Sequence, residues 1–96
     1  MNEIIIDGRY IKTEQDFHKT LAEQCKVTEF YGCNLDALWD LLSAGVERPV
    51  CIIWHDSENS RKAMGLVFYQ IIHILQRVKE QDELFDWADK FDYILK

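Results

Sequence analysis

The run Val50-Cys51-Ile52-Ile53-Trp54, five apolar residues directly after the chain's single proline, constrains the fold more than any other stretch. Pro49 cannot continue a helix, and an unbroken, β-branched-rich apolar run too short for a helix reads as a strand buried on both faces. A strand of that kind belongs inside a parallel sheet with helices packed on it. Glu3–Ile6, closed by the turn dipeptide Asp7-Gly8, is its expected neighbour, and Phe91, Tyr93 and Leu95, alternating with Asp92 and Ile94, predict a final strand at an edge. The expected class is therefore α/β, a three-stranded parallel sheet with three to four helices packed on its faces through right-handed crossovers. Ninety-six residues with 48% apolar content suffice for one core, so residues 1–96 are expected to form a single domain.

Between the strands the pattern turns helical. Thr13-Glu14-Gln15-Asp16 has the form of a capping box, after which Phe17, Leu21 and Cys25 recur on one face, with His18 beside it as a partly buried residue making a local hydrogen bond. From Asn59 to Gln81, Met64, Phe68, Ile71, Leu75 and Val78 recur at helical spacing, and Gly65 predicts a break into a short helix and a long one. Leu66, Tyr69 and Ile72 widen that stripe. A helix wedged between the sheet and another helix would use them, and so would a homodimer face.

The stretch Phe30 to Asp40 is the most informative for function. Asn34 is a favoured N-cap and Gly32 can take backbone angles closed to other residues, so Tyr31–Asn34 predicts a tight loop feeding a helix that begins near Leu35 and is closed by Ala44-Gly45. At about 100° per residue, Leu35, Leu38, Leu41 and Leu42 fall on one side, Asp36, Asp40 and Ser43 on the other, and Trp39 on the border. Like charges four apart repel on an exposed helix by about 0.2–0.5 kcal/mol, and only Asp36, in the first turn, recovers this from the helix dipole. Two fixed carboxylates flanked by Trp39, Phe30 and Tyr31 make a rigid anionic surface with flat anchors, suited to a basic partner.

The formal charge of −6 argues against direct nucleic-acid binding and fits an attraction to cationic partners. The opening residues lack a signal peptide's basic start and long apolar stretch, and no apolar run spans a membrane, so a cytoplasmic protein is expected. Cys25, Cys33 and Cys51 are odd in number, and with His18, His55 and His73 they match no common ligand spacing, so neither a disulfide framework, a metal nor a cofactor is expected. His55-Asp56 with Cys51 or Ser57 as nucleophile would make a small thiol or metal enzyme. Yet Cys51 falls mid-strand, no oxyanion loop is apparent, and Asp56-Ser57 reads as a turn or helix cap.

The run Tyr31-Gly32-x-Asn34-Leu35-Asp36-Ala37-Leu38-Trp39-Asp40 resembles the core motif of the barstar family, small cytoplasmic proteins that block secreted ribonucleases of the barnase type. The resemblance takes in Ile5-x-Asp7-Gly8, Asp16-Phe17-His18-x-Thr20-Leu21 and Val46-Glu47-x-Pro49 with the apolar run after it, while the final segment matches only as a helix followed by a strand. It implies a ribonuclease inhibitor that mimics RNA phosphates, an immunity protein or antitoxin and not an enzyme, whose partner carries a basic active-site cleft. Asp36, Trp39 and Asp40 are the expected core of the contact, joined by Phe30, Tyr31, Gly32, Asn34, Ser43 and Glu80. The family's long fourth helix also contributes glutamates. Arg77 and Gln81 stand at those positions, with Glu80, Asp82 and Glu83 close enough to take their place, Phe30 stands for a tyrosine and Gly45 for a tryptophan. These departures imply a different cognate ribonuclease. The alternative is an acidic interaction module with a partner that is not a nuclease, acting alone or as a homodimer through the broad helix.

Overall fold

An apolar strand needs a hydrogen-bonded neighbour on each side, and the computed structural model, which describes residues 2–96, puts β2 (Val50–His55) in the middle of a three-stranded sheet. Both neighbours, β1 (Asn2–Asp7) and β3 (Phe91–Leu95), run parallel to it, with Ile4 opposite Ile52 and Ile52 opposite Tyr93. Helices α1 (Glu14–Cys25) and α2 (Leu35–Ala44) connect β1 to β2, and α3 (Ser57–Met64) and α4 (Leu66–Leu84) connect β2 to β3. The expected α/β class is present, with four helices.

The helices lie on one face of the sheet, not on both as the buried strand had suggested. Right-handed crossovers that step twice in the same direction put both connections on the same side. Burial follows that geometry. Ile4, Ile6, Val50, Ile52, Trp54 and Phe91 join the core under the helices, whereas Ile5 and Ile94, on the opposite face, are exposed. On that second face Ile53 is 9% exposed yet lies outside the core, covered by its cross-strand neighbours Ile5 and Ile94. β2 is thus buried by helices on one side and by its flanking strands on the other.

Thr13 caps α1 as the sequence predicts: its hydroxyl accepts from the Asp16 N–H at 3.1 Å, and the Asp16 carboxylate accepts from the Thr13 N–H at 3.2 Å. Phe17 then stacks on Trp54, ring centroids 5.0 Å apart. Trp54 donates its indole N–H to Ser60, whose hydroxyl donates to the Gly8 carbonyl, so a buried polar chain ties α3 to the turn after β1. Gly8 is obligatory there, since a Cβ would fall 2.1 Å from the Asp56 carbonyl oxygen. Asp56 is the N-cap of α3 in the left-handed region, and Gly65 (φ +60°) divides α3 from α4.

Of the two uses open to Leu66 and Tyr69, the wedged helix is corrected: they point outward and are 73% and 54% exposed, while Phe68, Ile71, Ile74, Leu75 and Val78 form the inner face of α4. Asp82, expected close enough to the partner face to take the place of a family glutamate, is instead fully buried. Arg48 pairs with it in a two-point contact (Nε to Oδ2 2.9 Å, Nη2 to Oδ1 3.2 Å), and the Phe91 N–H donates to it at 2.7 Å. Burial pushes the Asp82 carboxyl up, but the hydrogen bonds from Arg48 and Phe91 outweigh it and hold the group below the usual carboxylate range.

Candidate partner-binding face

α1 ends where Lys26 adopts the left-handed conformation and its N–H returns to Ala22 and Glu23. The loop that follows is held to α1 by side chains. Tyr31 turns its hydroxyl inward to His18 Nδ1 at 2.6 Å, and His18 Nε2 meets Glu14 Oε2 at 2.9 Å. With a hydrogen on Nε2 for the Glu14 carboxylate to accept, a neutral imidazole leaves Nδ1 to accept from Tyr31. Burial pushes the Tyr31 phenol up, so it keeps that proton. His18 is thus completely buried rather than partly so, and its bonds reach the loop as well as its own helix. Gln15 adds a hydrogen bond to the Cys33 carbonyl at 3.3 Å.

Gly32 does not supply the left-handed turn. Cys33 does, with φ 54°, and Gly32 is small for another reason: a Cβ there would sit 3.2 Å from that of Ala37. The loop therefore lies flat against the first turn of α2. Asn34 accepts from the Ala37 N–H at 2.8 Å as the predicted N-cap, which commits its side-chain oxygen to the helix. Leu38 and Leu42 anchor α2 in the core, with Leu35 and Leu41 half-buried beside them.

The opposite side of α2 carries Asp36 and Asp40, both exposed. Among the described residues neither takes part in an ion pair, although seven such pairs form elsewhere. Phe30, 85% exposed, stands beside them and shares with Val27, Tyr31, Gly32, Ala37, Asp40 and Leu41 the lining of a pocket of about 280 Å³. Its walls are mostly apolar and Asp40 contributes the one carboxylate. Trp39 is half-buried, and the Arg77 guanidinium lies over its ring, 4.5 Å from the centroid. Along the same seam Gln81 donates its amide to the Ser43 carbonyl at 3.1 Å, so the Ser43 backbone is engaged with α4. Glu80 is exposed and accepts from Gln76 at 3.2 Å.

The fold thus gathers Phe30, Tyr31, Gly32, Asp36, Trp39 and Asp40 on one side of the molecule, uses Asn34 to hold that side in place, and removes Asp82 from it. Val27, Ala37 and Leu41 as pocket walls, and the His18 contact behind Tyr31, were not read from the sequence. Val27 and Leu41 are apolar residues in or beside a helical run, which core packing explains equally well. Elsewhere, Cys51 is buried and its thiol is pushed up by that burial, a poor setting for a nucleophile. Among the described residues no three His, Cys, Asp or Glu side chains converge as a metal site, and no helix is long and apolar enough to cross a membrane.

Comparison with known proteins gives two findings. The family model described as "Barstar (barnase inhibitor)" matches residues 1–92. A Bacillus subtilis (strain 168) protein, "Putative ribonuclease inhibitor YrdF", is 32% identical over 81 residues, covering 84% of this chain and 89% of that relative.

Proposed function

Because the chain belongs to the barstar family of ribonuclease inhibitors, we propose that it occludes the active site of a cognate ribonuclease by presenting α2 as a rigid acidic decoy for RNA phosphates. The observation that carries this reading is the state of Asp36 and Asp40: two exposed carboxylates one turn apart, on a capped helix, with no cation paired to either among the described residues. A ribonuclease holds phosphates with Arg and Lys in a concave, positive cleft, and such a cleft accepts carboxylates in place of phosphates. Little order has to be imposed on α2 when it binds, which favours affinity. Charge pairs of this kind carry several kcal/mol in the barnase–barstar complex, the reference case for the effect.

Around this centre, Trp39, Phe30 and the Tyr31 ring supply flat surface for the cleft rim. Glu80 adds charge from α4, and Gly32, Asn34 and Ser43 complete the contact through the backbone that they shape. The pocket beside Asp40 suits a basic side chain of the ribonuclease, its apolar part against Val27 and Leu41 and its charge at Asp40. The protein acts in the cytoplasm as an immunity protein or antitoxin, binds no nucleic acid itself and catalyses no reaction.

Inhibition kinetics test the decoy directly. Inhibition should be competitive with RNA, and a mononucleotide filling the enzyme's phosphate site should slow inhibitor binding in proportion to its occupancy. A ternary complex of inhibitor, ribonuclease and nucleotide would contradict the reading. The exposed Leu66 and Tyr69 favour a second one, a homodimeric acidic interaction module with another partner. A monomeric mass in solution, with inhibition intact, overturns it.

A further inference from the structure

One cation stands among the acids of the proposed face. Arg77 projects from α4, exposed, with its guanidinium 4.5 Å from the centroid of Trp39 on α2. Stacking on an indole fixes the plane of a guanidinium while leaving its N–H edges free, the arrangement that recognises a carboxylate at two points. No carboxylate among the described residues pairs with Arg77, not even Asp40 on the facing helix or Glu80 less than a turn away. The neighbouring seam is already closed by Gln81 on the Ser43 carbonyl, so contact between the helices does not depend on a positive charge at this position.

Against a uniformly positive cleft, a fixed cation stacked on Trp39 would repel, and a desolvated like-charge contact penalises the wrong partner strongly. We infer that Arg77 is a specificity-determining residue, selecting a ribonuclease that carries a carboxylate on the rim of its cationic cleft and rejecting one whose rim is wholly basic. This rests on α2 being the inhibitory face.

The test uses a panel of purified barnase-type ribonucleases, the enzyme inhibited at the lowest concentration of wild-type protein serving as probe. Arg77→Gln should raise the inhibition constant for that enzyme about tenfold or more, and Arg77→Glu should raise it further, as for a fully desolvated charge pair. Thermal midpoints should fall by no more than a few degrees, because the side chain is exposed and gives up only its stack on Trp39. Replacing the rim carboxylates of the ribonuclease one at a time with their amides should reveal one that abolishes the Arg77→Gln effect, a coupling that a purely structural arginine would not show. The inference is overturned if Arg77→Glu inhibits the probe as well as wild type or better while Asp40→Ala is much weaker. If Asp40→Ala is the variant without effect, the assignment of the face falls instead.

Discussion

Tyr31 shows how one residue can face two ways. Its ring lines the pocket beside Asp40, and its hydroxyl is bound to buried His18. Tyr31→Phe keeps the ring but leaves His18 Nδ1 buried without its hydrogen-bond partner, a defect that costs about 1–3 kcal/mol. The variant should therefore unfold at lower denaturant concentration and show faster amide exchange across Phe30–Cys33, while retaining most of its affinity for a ribonuclease. Unchanged exchange in that loop would mean that His18 does not hold it. The exposure of Asp36 and Asp40 could be read from the sequence because helical periodicity alone places them opposite Leu38 and Leu42. The Tyr31–His18 bond could not, because its partners lie thirteen residues apart on different elements. Asp82 misled for the same reason. Its surroundings in sequence are acidic and polar, and Arg48, which allows it to be buried, comes from 34 residues earlier.

Among the elements, the junction of α4 with β3 is held by that buried pair, and its dependence on pH has a definite sign. Asp82 is held below the ordinary carboxylate range in the folded protein. The unfolded chain therefore takes up the proton first as pH falls. The stabilisation is complete above the unfolded value, about 3.9, and is lost as pH drops through the lower folded value. Asp82→Asn, which leaves Arg48 buried without its counter-charge, should cost about 3–5 kcal/mol near neutrality. Urea unfolding of both proteins over a range of pH should show this difference shrinking below about pH 4. A difference independent of pH would contradict the assignment. Element boundaries were legible where a local device sets them, as with Thr13 and Asp16 at α1, Asn34 at α2 and Gly65 between α3 and α4. In the 30–34 loop the glycine was read as the residue taking special backbone angles, whereas Cys33 takes them and Gly32 packs close to Ala37, a contact that depends on how the loop lies on α2.

Over the whole molecule, the net charge of −6 and the unpaired acids of α2 predict steering toward a cationic enzyme. Because the screening length falls from about 10 Å at 0.1 M salt to about 3 Å at 1 M, the association rate should drop by roughly tenfold or more over that range while dissociation changes little. An association rate indifferent to salt would remove steering from the account. A parallel three-stranded sheet, with β1 beside β2 and β3 at an edge, was legible from the one apolar run, the charged alternation near the end and the crossover rule, but the full order β1-β2-β3 comes from the structure. The bare second face of the sheet was not legible, because Ile53 looks the same in sequence whether a helix or two neighbouring isoleucines cover it.

The central claim, that α2 is the inhibitory surface, is tested most directly by the dissociation rate of Asp40→Ala from the ribonuclease that the wild-type protein inhibits. The variant should stay folded, because Asp40 is exposed and unpaired among the described residues, and should lose at least about 2 kcal/mol of binding, roughly thirtyfold, almost entirely through faster release. A folded Asp40→Ala protein released less than about tenfold faster, with association unchanged, would contradict it.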